Sequence, residues 1–337
     1  MKKIIIFSIL ITFIFSGWAH AQFSKRGTSG AQFLKIGVGA RAQGMGGAFT
    51  AIANDASSLY WNPAGIAHIP NNEVIFAYSD WFSDINHSFV GVVYKSETLG
   101  SFGISLTALT MGEMEVTTVD EPQGTGNYFN ASDFAFGITF AKNMTDRFSF
   151  GIKVKMIRET IWDMNASGFA IDLGTIYNIG FSGLTLAMNM ANFGPEMNFS
   201  GSGLLSQYNA NPDGGNVGPV DVNLKTTAYP LPMTFRFALS YNWDPFGESI
   251  DLVECVEFVK TNDRSEALII GVETALLDMV YVRAGFNTAQ ESEMQEGLSA
   301  GLGINFKYGD YKGTFDYAFT DYGRLQSIHR FSVGFAF

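Results

Sequence analysis

The chain has 337 residues, 21 Lys and Arg against 32 Asp and Glu, and a formal charge of -11. That balance excludes a nucleic-acid surface, which needs clustered basic side chains, and the single cysteine excludes an internal disulfide. Charged residues make up 16% against roughly 25% in ordinary soluble domains, mean hydropathy is +0.11 and aromatics reach 15%, so the composition is that of a membrane protein.

The first residues, MKKIIIFSILITFIFSGWAHAQ, carry two lysines, an apolar stretch from Ile4 to Phe15, and Ala19-His20-Ala21 before Gln22. This reads as a signal peptide over 1–21, with cleavage near Ala21/Gln22 and a mature charge of -13. The residue after the cut is not cysteine, so the mature protein is not expected to be a lipoprotein. Beyond the leader no apolar run approaches the roughly 18 residues of a spanning helix. An exported, apolar chain without such a helix is expected to be an all-β transmembrane barrel.

Residues 22–70 lack period-two alternation. Glycine fills five of the eleven positions from 37 to 47, which would let backbone pack tightly in a confined space. Asn62 followed by Pro63 suits the cap and first position of a short helical turn through Ile66. The expectation is an N-terminal plug inside the lumen, with Arg41 and Asp55 facing lumen charges of both signs. Gly44-Met45-Gly46 is no dinucleotide fingerprint, because the third glycine is missing and no strand precedes it.

Residues 71–337 alternate. Phe235, Phe237, Leu239, Tyr241 and Trp243 oppose Thr234, Arg236, Ala238, Ser240 and Asn242. Phe148, Phe150, Ile152, Val154 and Met156 oppose Arg147, Ser149, Gly151, Lys153 and Lys155, and Leu298 to Phe306 repeat the pattern against Gly297 to Asn305. Large apolar residues on one face suit lipid, while small residues with scattered charge suit a narrow lumen. Strands are expected to begin near residues 73, 85, 99, 133, 147, 166, 183, 233, 247, 265, 279, 296, 311 and 325, about fourteen in all. The inward charges are expected to be Arg147, Lys153, Lys155, Asp172, Arg236, Glu273, Arg283, Asp316 and Arg330. Even-numbered connections such as Asn143-Met144-Thr145-Asp146 and Asp244-Pro245-Phe246-Gly247 are short, and the long ones, 110–132 and 194–232, are odd-numbered. That asymmetry assigns short turns to the periplasm and long loops to the exterior, with both termini periplasmic.

No catalytic, metal or cofactor site is expected. Gly297-Leu298-Ser299-Ala300-Gly301 has the letters of a nucleophile elbow but sits within an alternating strand rather than a strand-turn-helix. His68, His87, His329 and Cys255 are far apart in sequence. Glu113, Glu115, Asp120 and Glu121 read as a solvated acidic loop.

The chain ends on an alternating strand with Phe331, Phe335 and Phe337, similar to the C-terminal signal of bacterial outer-membrane barrels. The stretch TSGAQFLKIGVGARAQGMGGAFTAIANDASSLYWNPAGIA, which contains Gly37, Gly39, Arg41, Gly44, Gly46, Gly47, Asp55, Asn62, Pro63 and Gly65, closely resembles the N-terminal signature of the PorV/PorQ family. These are outer-membrane barrels related to the FadL fatty-acid transporters. The resemblance implies a FadL-like barrel of about fourteen strands, embedded in outer-membrane lipid, with its N-terminal segment packed inside. It also implies work in type IX secretion, with partners that are secreted proteins bearing type IX C-terminal signal domains or subunits of the machinery. The competing expectation is a transporter of hydrophobic small molecules, which needs a continuous apolar cavity beneath the loops. A docking protein needs an apolar patch on the loops themselves, and the charged inward positions favour docking.

Overall fold

The computed structural model describes residues 27–337 except 181–182, 210–218, 244–249, 289, 292–293, 296, 310 and 324–325. The signal peptide and the Asp244–Gly247 turn lie outside the described residues.

Fourteen strands form the barrel: β1 (Glu73–Asp80), β2 (Ile85–Ser96), β3 (Gly100–Met111), β4 (Ala131–Asn143), β5 (Phe148–Ile161), β6 (Met164–Asn178), β7 (Leu184–Phe193), β8 (Thr234–Trp243), β9 (Ile250–Thr261), β10 (Ala267–Leu276), β11 (Val280–Asn287), β12 (Leu298–Tyr308), β13 (Tyr311–Asp321) and β14 (Ser327–Ala336). Each pairs antiparallel with its sequence neighbours, and β1 pairs with β14, as in Phe76 opposite Val333. Closure leaves no strand edge open to hydrocarbon, as a barrel in lipid requires. The strand starts fall within three residues of those expected from alternation.

Side chains follow the two faces. Ile104, Ile138, Phe169, Leu302, Ile304 and Val333 stand exposed on the outside, while Ser105, Lys153, Asp172, Glu257, Glu273, Arg283 and Arg330 are buried within. The ladder is interrupted once between β6 and β7, at a register shift between Ile171 and Leu173. There Asn192, at φ 65°, turns its amide to Asp172 Oδ1 at 2.7 Å. Lys155 Nζ donates to Asp172 Oδ2 at 2.8 Å, and Asn192 Nδ2 donates to the Pro232 carbonyl at 2.9 Å. A bulge therefore replaces the lost ladder bonds with a buried side-chain network.

The odd-numbered connections include the two longest. The β3–β4 connection carries a short hairpin, Met114–Glu115 with Tyr128–Phe129, and the β7–β8 connection carries another, Leu205–Tyr208 with Val220–Asn223. A further two-residue strand, Ser200–Gly201, bonds to the start of β6. Phe129 stacks on Trp162 at 5.7 Å, and Ser202 Oγ donates to Asp163 at 2.6 Å. These contacts tie the β3–β4, β5–β6 and β7–β8 connections into one surface.

Two expectations are corrected. Arg147 does not face the lumen: it is exposed in the β4–β5 connection because β5 begins one residue later, at Phe148. The first described residues do not lie at the same end as the C-terminus either. Gly30 N–H donates to the Pro230 carbonyl at 3.1 Å and Ser29 to Asp263, both at the end with the long connections. Phe337 N–H donates to the Asn72 carbonyl at 3.0 Å, at the opposite end. The segment from 28 to 72 thus runs the height of the barrel, a path that alternation cannot reveal because the segment has none.

Candidate functional site

The residues that precede β1 pack against the inward faces of the strands. A 3-10 turn, Gln32–Lys35, leads to a helical turn, Ala40–Gly44, then to Ser58–Trp61 and a second 3-10 turn, Pro63–His68. Asn62 caps the last, its Oδ1 accepting from Ala64 N at 3.1 Å, which extends the expected turn from Ile66 to His68. Asn62 Nδ2 also donates to the carbonyls of Thr50 at 3.0 Å and Thr175 at 3.2 Å. One side chain therefore closes the segment on itself and on β6. Phe49, Leu59, Trp61 and Ile66 are fully buried in one cluster with Ala187, Ala238 and Ile269 of the wall.

Glycine makes this approach possible at two places above all. A Cβ on Gly285 of β11 would sit 2.1 Å from the Met45 carbonyl carbon, and one on Gly151 of β5 would sit 2.3 Å from that of Pro63. Of the signature glycines, Gly39, Gly46 and Gly47 hold positive φ, while Gly37, Gly44 and Gly65 abut Gln43, Gly301 and the Ala53 carbonyl.

Charge holds the segment as well. Arg41 forms a fork on Glu273, Nε to Oε2 at 2.9 Å and Nη2 to Oε1 at 2.7 Å, while its Nη1 reaches Asp55 at 2.9 Å. Glu273 also accepts from Arg283 Nε at 2.5 Å, and Arg283 Nη1 reaches Asp316 at 2.7 Å. The chain Asp55, Arg41, Glu273, Arg283, Asp316 alternates in sign, as a buried network must. Glu257 of β9 accepts the amides of Phe49 and Thr50 at 3.0 and 2.9 Å and the Thr50 hydroxyl at 2.9 Å, and pairs with Arg236 at 2.7 Å. The Arg236 guanidinium in turn lies 4.9 Å from the Trp61 ring. Lys153 Nζ donates to the Leu59 carbonyl at 2.8 Å.

At the end with the long connections, Lys35 Nζ meets Asp263 at 2.9 Å, and Ser29 and Gln32 donate to the same carboxylate. Burial pushes the Asp263 carboxyl up, but these three donors outweigh it and leave its pKa below the ordinary value. Glu159 joins this end, accepting from Ala31 N at 3.1 Å and from Tyr229 OH at 2.7 Å. At the other end His68 Nε2 lies 2.9 Å from Ser149 Oγ, with its pKa lowered by burial and by Lys95. A cavity of about 260 Å³ opens there, lined by Arg41, Asn54, His68, Asn178, Thr185 and Asn242 among others.

The structure thus gathers Arg41, Asp55, Glu273, Arg283 and Asp316 into one cluster, joins Lys155 to Asp172, and sets Arg236 and Arg330 apart from both. Phe331, Phe335 and Phe337 are exposed on the outer face. Glu257, Asp263 and Glu159 were not singled out in the sequence. Glu257 was within reach, because Cys255, Glu257 and Val259 alternate with Val256 and Phe258; Asp263 sits in a connection and carries no periodic signal. Ser299 lies within β12 with its hydroxyl 3.3 Å from Thr320 Oγ1, and His329 meets Tyr317 on the outer face. The acidic residues Glu113, Glu115, Asp120 and Glu121 are all exposed.

Residues 20–218, more than half of the chain, match the family described as type IX secretion system protein PorV. No curated protein matches. Among solved structures, the barrel is similar to a Pseudomonas aeruginosa FadL homologue (11% identity, 88% of this chain and 97% of that chain covered, TM-score 0.53). It is also similar to the Pseudomonas putida toluene transporter TodX (12% identity, 89% and 97% covered, TM-score 0.57). The Ralstonia pickettii toluene transporter TbuX is alike to the same degree (11% identity, 89% and 97% covered, TM-score 0.53). At these identities the likeness is one of fold.

Proposed function

The chain belongs to the PorV family of type IX secretion outer-membrane barrels, and we propose that it is a non-catalytic docking component whose outer connections bind a protein partner. The partner is a secreted protein bearing a type IX C-terminal signal domain or a subunit of the machinery. Residues 22–70 act as the plug of this barrel, following a signal peptide over 1–21. One observation carries the reading. The surface formed by the β3–β4, β5–β6 and β7–β8 connections exposes Val119, Tyr128, Trp162, Leu205, Tyr208, Val220 and Leu224. Large apolar side chains exposed on connections that are tied into one surface support a protein-binding role.

The lumen supports the same reading. Its described charges are neutralised mostly against each other and against the N-terminal segment, and the cavity beside Arg41 mixes amides and hydroxyls with Ala51, Ile52, Ile176 and Val253 rather than offering a continuous apolar wall.

The test is a pull-down of the detergent-solubilised barrel with a purified type IX signal domain. Wild type should retain the domain, and a variant with the β7–β8 connection shortened between Ser202 and Asn223 should lose it while still folding, because the barrel ladder is untouched. A transporter role is the second reading, favoured by the likeness to toluene transporters. Normal cargo attachment after gene deletion, together with lost uptake of hydrophobic compounds, would favour it over docking.

A further inference from the structure

Arg41, Arg236, Arg283 and Arg330 all point into the lumen, and the first three each meet a carboxylate at 2.7 Å or closer. Arg330 differs. It is 1% exposed, and among the described residues no carboxylate lies within ion-pair distance of it. Its Nη1 donates to Thr320 Oγ1 at 2.7 Å and its Nη2 to Tyr322 OH at 2.9 Å, both neutral acceptors, while Nε has no partner.

A second orphan lies beside it. Arg330 of β14 is opposite Ser79 of β1, which is opposite His87 of β2, and all three side chains are buried on the inward face. His87 is 2% exposed, and its Nε2 also has no partner. Aromatic rings cover Arg330 from the end with the long connections. The Arg330 guanidinium carbon lies 5.6 Å from the Trp81 ring and 5.8 Å from that of Tyr322, and Phe82 packs on both rings at 5.0 and 5.3 Å.

A buried cation is costly without an opposite charge, and two ring faces return only part of that cost. The Nε–H and the second proton of an Nη form the planar fork that accepts both oxygens of a carboxylate. One guanidinium beside one imidazole balances a single negative charge, which suits a monocarboxylate better than a doubly charged phosphate. The rings offer an apolar face to the body of such a ligand. Trp81 and Phe82, in the four-residue link from β1 to β2, are only half-buried, so the way in is through that link.

We propose that Arg330 and His87, under Trp81, Phe82 and Tyr322, form a binding site for a small aromatic or apolar monocarboxylate at the long-connection end of the lumen. The site is separate from the docking surface and does not depend on it. It is read by calorimetric titration of the full barrel in detergent with benzoate, with its neutral isostere benzamide and with inorganic phosphate. Benzoate should bind saturably and at least about 10-fold more tightly than benzamide, the discrimination that an otherwise unpaired buried charge confers. Arg330→Gln should weaken benzoate at least about 10-fold in a barrel that keeps its heat-modifiable mobility. If that variant fails to fold, competition on wild type replaces it: acetate should displace benzoate and acetamide should not. Absence of saturable benzoate binding, equal binding of benzamide, preference for phosphate, displacement by acetamide, or unchanged affinity in folded Arg330→Gln would each overturn the site.

Discussion

The two halves of the N-terminal segment are fastened in different ways. From 37 to 69 the fastening is to strands: Glu257, Glu273 and Asp316 are ladder residues whose positions the barrel fixes, and glycines bring backbone against backbone. From 28 to 36 the fastening is mainly to connections, with Asp263 just beyond β9 and the Pro230 carbonyl in the long β7–β8 link, and one strand carboxylate, Glu159 of β5, accepting from Ala31. A carboxylate on a strand is pre-organised before the segment arrives, whereas one on a connection must be ordered together with its donors. The first half is therefore the structural half, and the second is the one that a change in the outer surface reaches first.

The largest test of that contrast is steric. Gly285→Val places a branched side chain against the Met45 backbone, which has nowhere to move because the strand backs the glycine. The folded, heat-modifiable form on an unheated gel should be lost or nearly so. Gly297→Ala, at a site where a Cβ would meet nothing within 4 Å, should migrate as wild type. A folded Gly285→Val barrel with residues 37–69 still protected from protease would break the comparison.

Next comes charge. Glu257 is fully buried and holds Phe49, Thr50 and Arg236. Glu257→Gln should lower stability by about 3 kcal/mol, the lower end for breaking a buried pair, seen as a fall in the urea midpoint in detergent. Adding Arg236→Met should restore part of the loss, because the residual harm comes from the unpaired cation.

Asp263→Asn should cost less, about 2 kcal/mol for hydrogen bonds to a charged group. It should expose residues 28–36 to protease while 37–69 stay protected. The same release should follow pH. The folded carboxyl titrates below its ordinary value of about 3.8, so its contribution is complete above that value and is lost as pH falls through the lower, folded one. Protease sensitivity of residues 28–36 that does not change between pH 6 and pH 3 would sink the assignment.

The same contrast explains what was legible in the sequence. The barrel was legible because lipid on one side and a packed lumen on the other impose a period of two on β1 to β14, so strand starts could be placed within three residues. Lys155 with Asp172 and Glu273 with Arg283 fell on inward positions by the same rule. Partners could not be assigned, since Arg41 reaches a strand 232 positions away and no local pattern encodes that distance. Arg147 shows the rule failing at its boundary, where one residue separates a strand from a turn. The segment from 28 to 72 lacks any period, and its direction through the barrel was accordingly misread.

The smallest effect, with no stability change expected, settles which half faces the outside. Val119 in the β3–β4 connection is 99% exposed, and Met144 in the β4–β5 connection is 62% exposed; neither contributes a ladder bond. Val119→Cys and Met144→Cys should therefore fold as wild type. The native thiol gives no background, because Cys255 is fully buried among the residues that line the lumen. A membrane-impermeant maleimide added to intact cells should label Val119→Cys and leave Met144→Cys unlabelled until the cells are opened. That pattern would put the Asp263 anchor and the apolar loop surface together on the outside, where a partner could act on both. Labelling of Met144→Cys alone would turn the barrel over and place the strand-fastened half, with the cavity beside Arg41, on the exterior. Docking through the long connections would then have to occur from the periplasm, and the loop surface would no longer be one that a protein on the cell surface could reach.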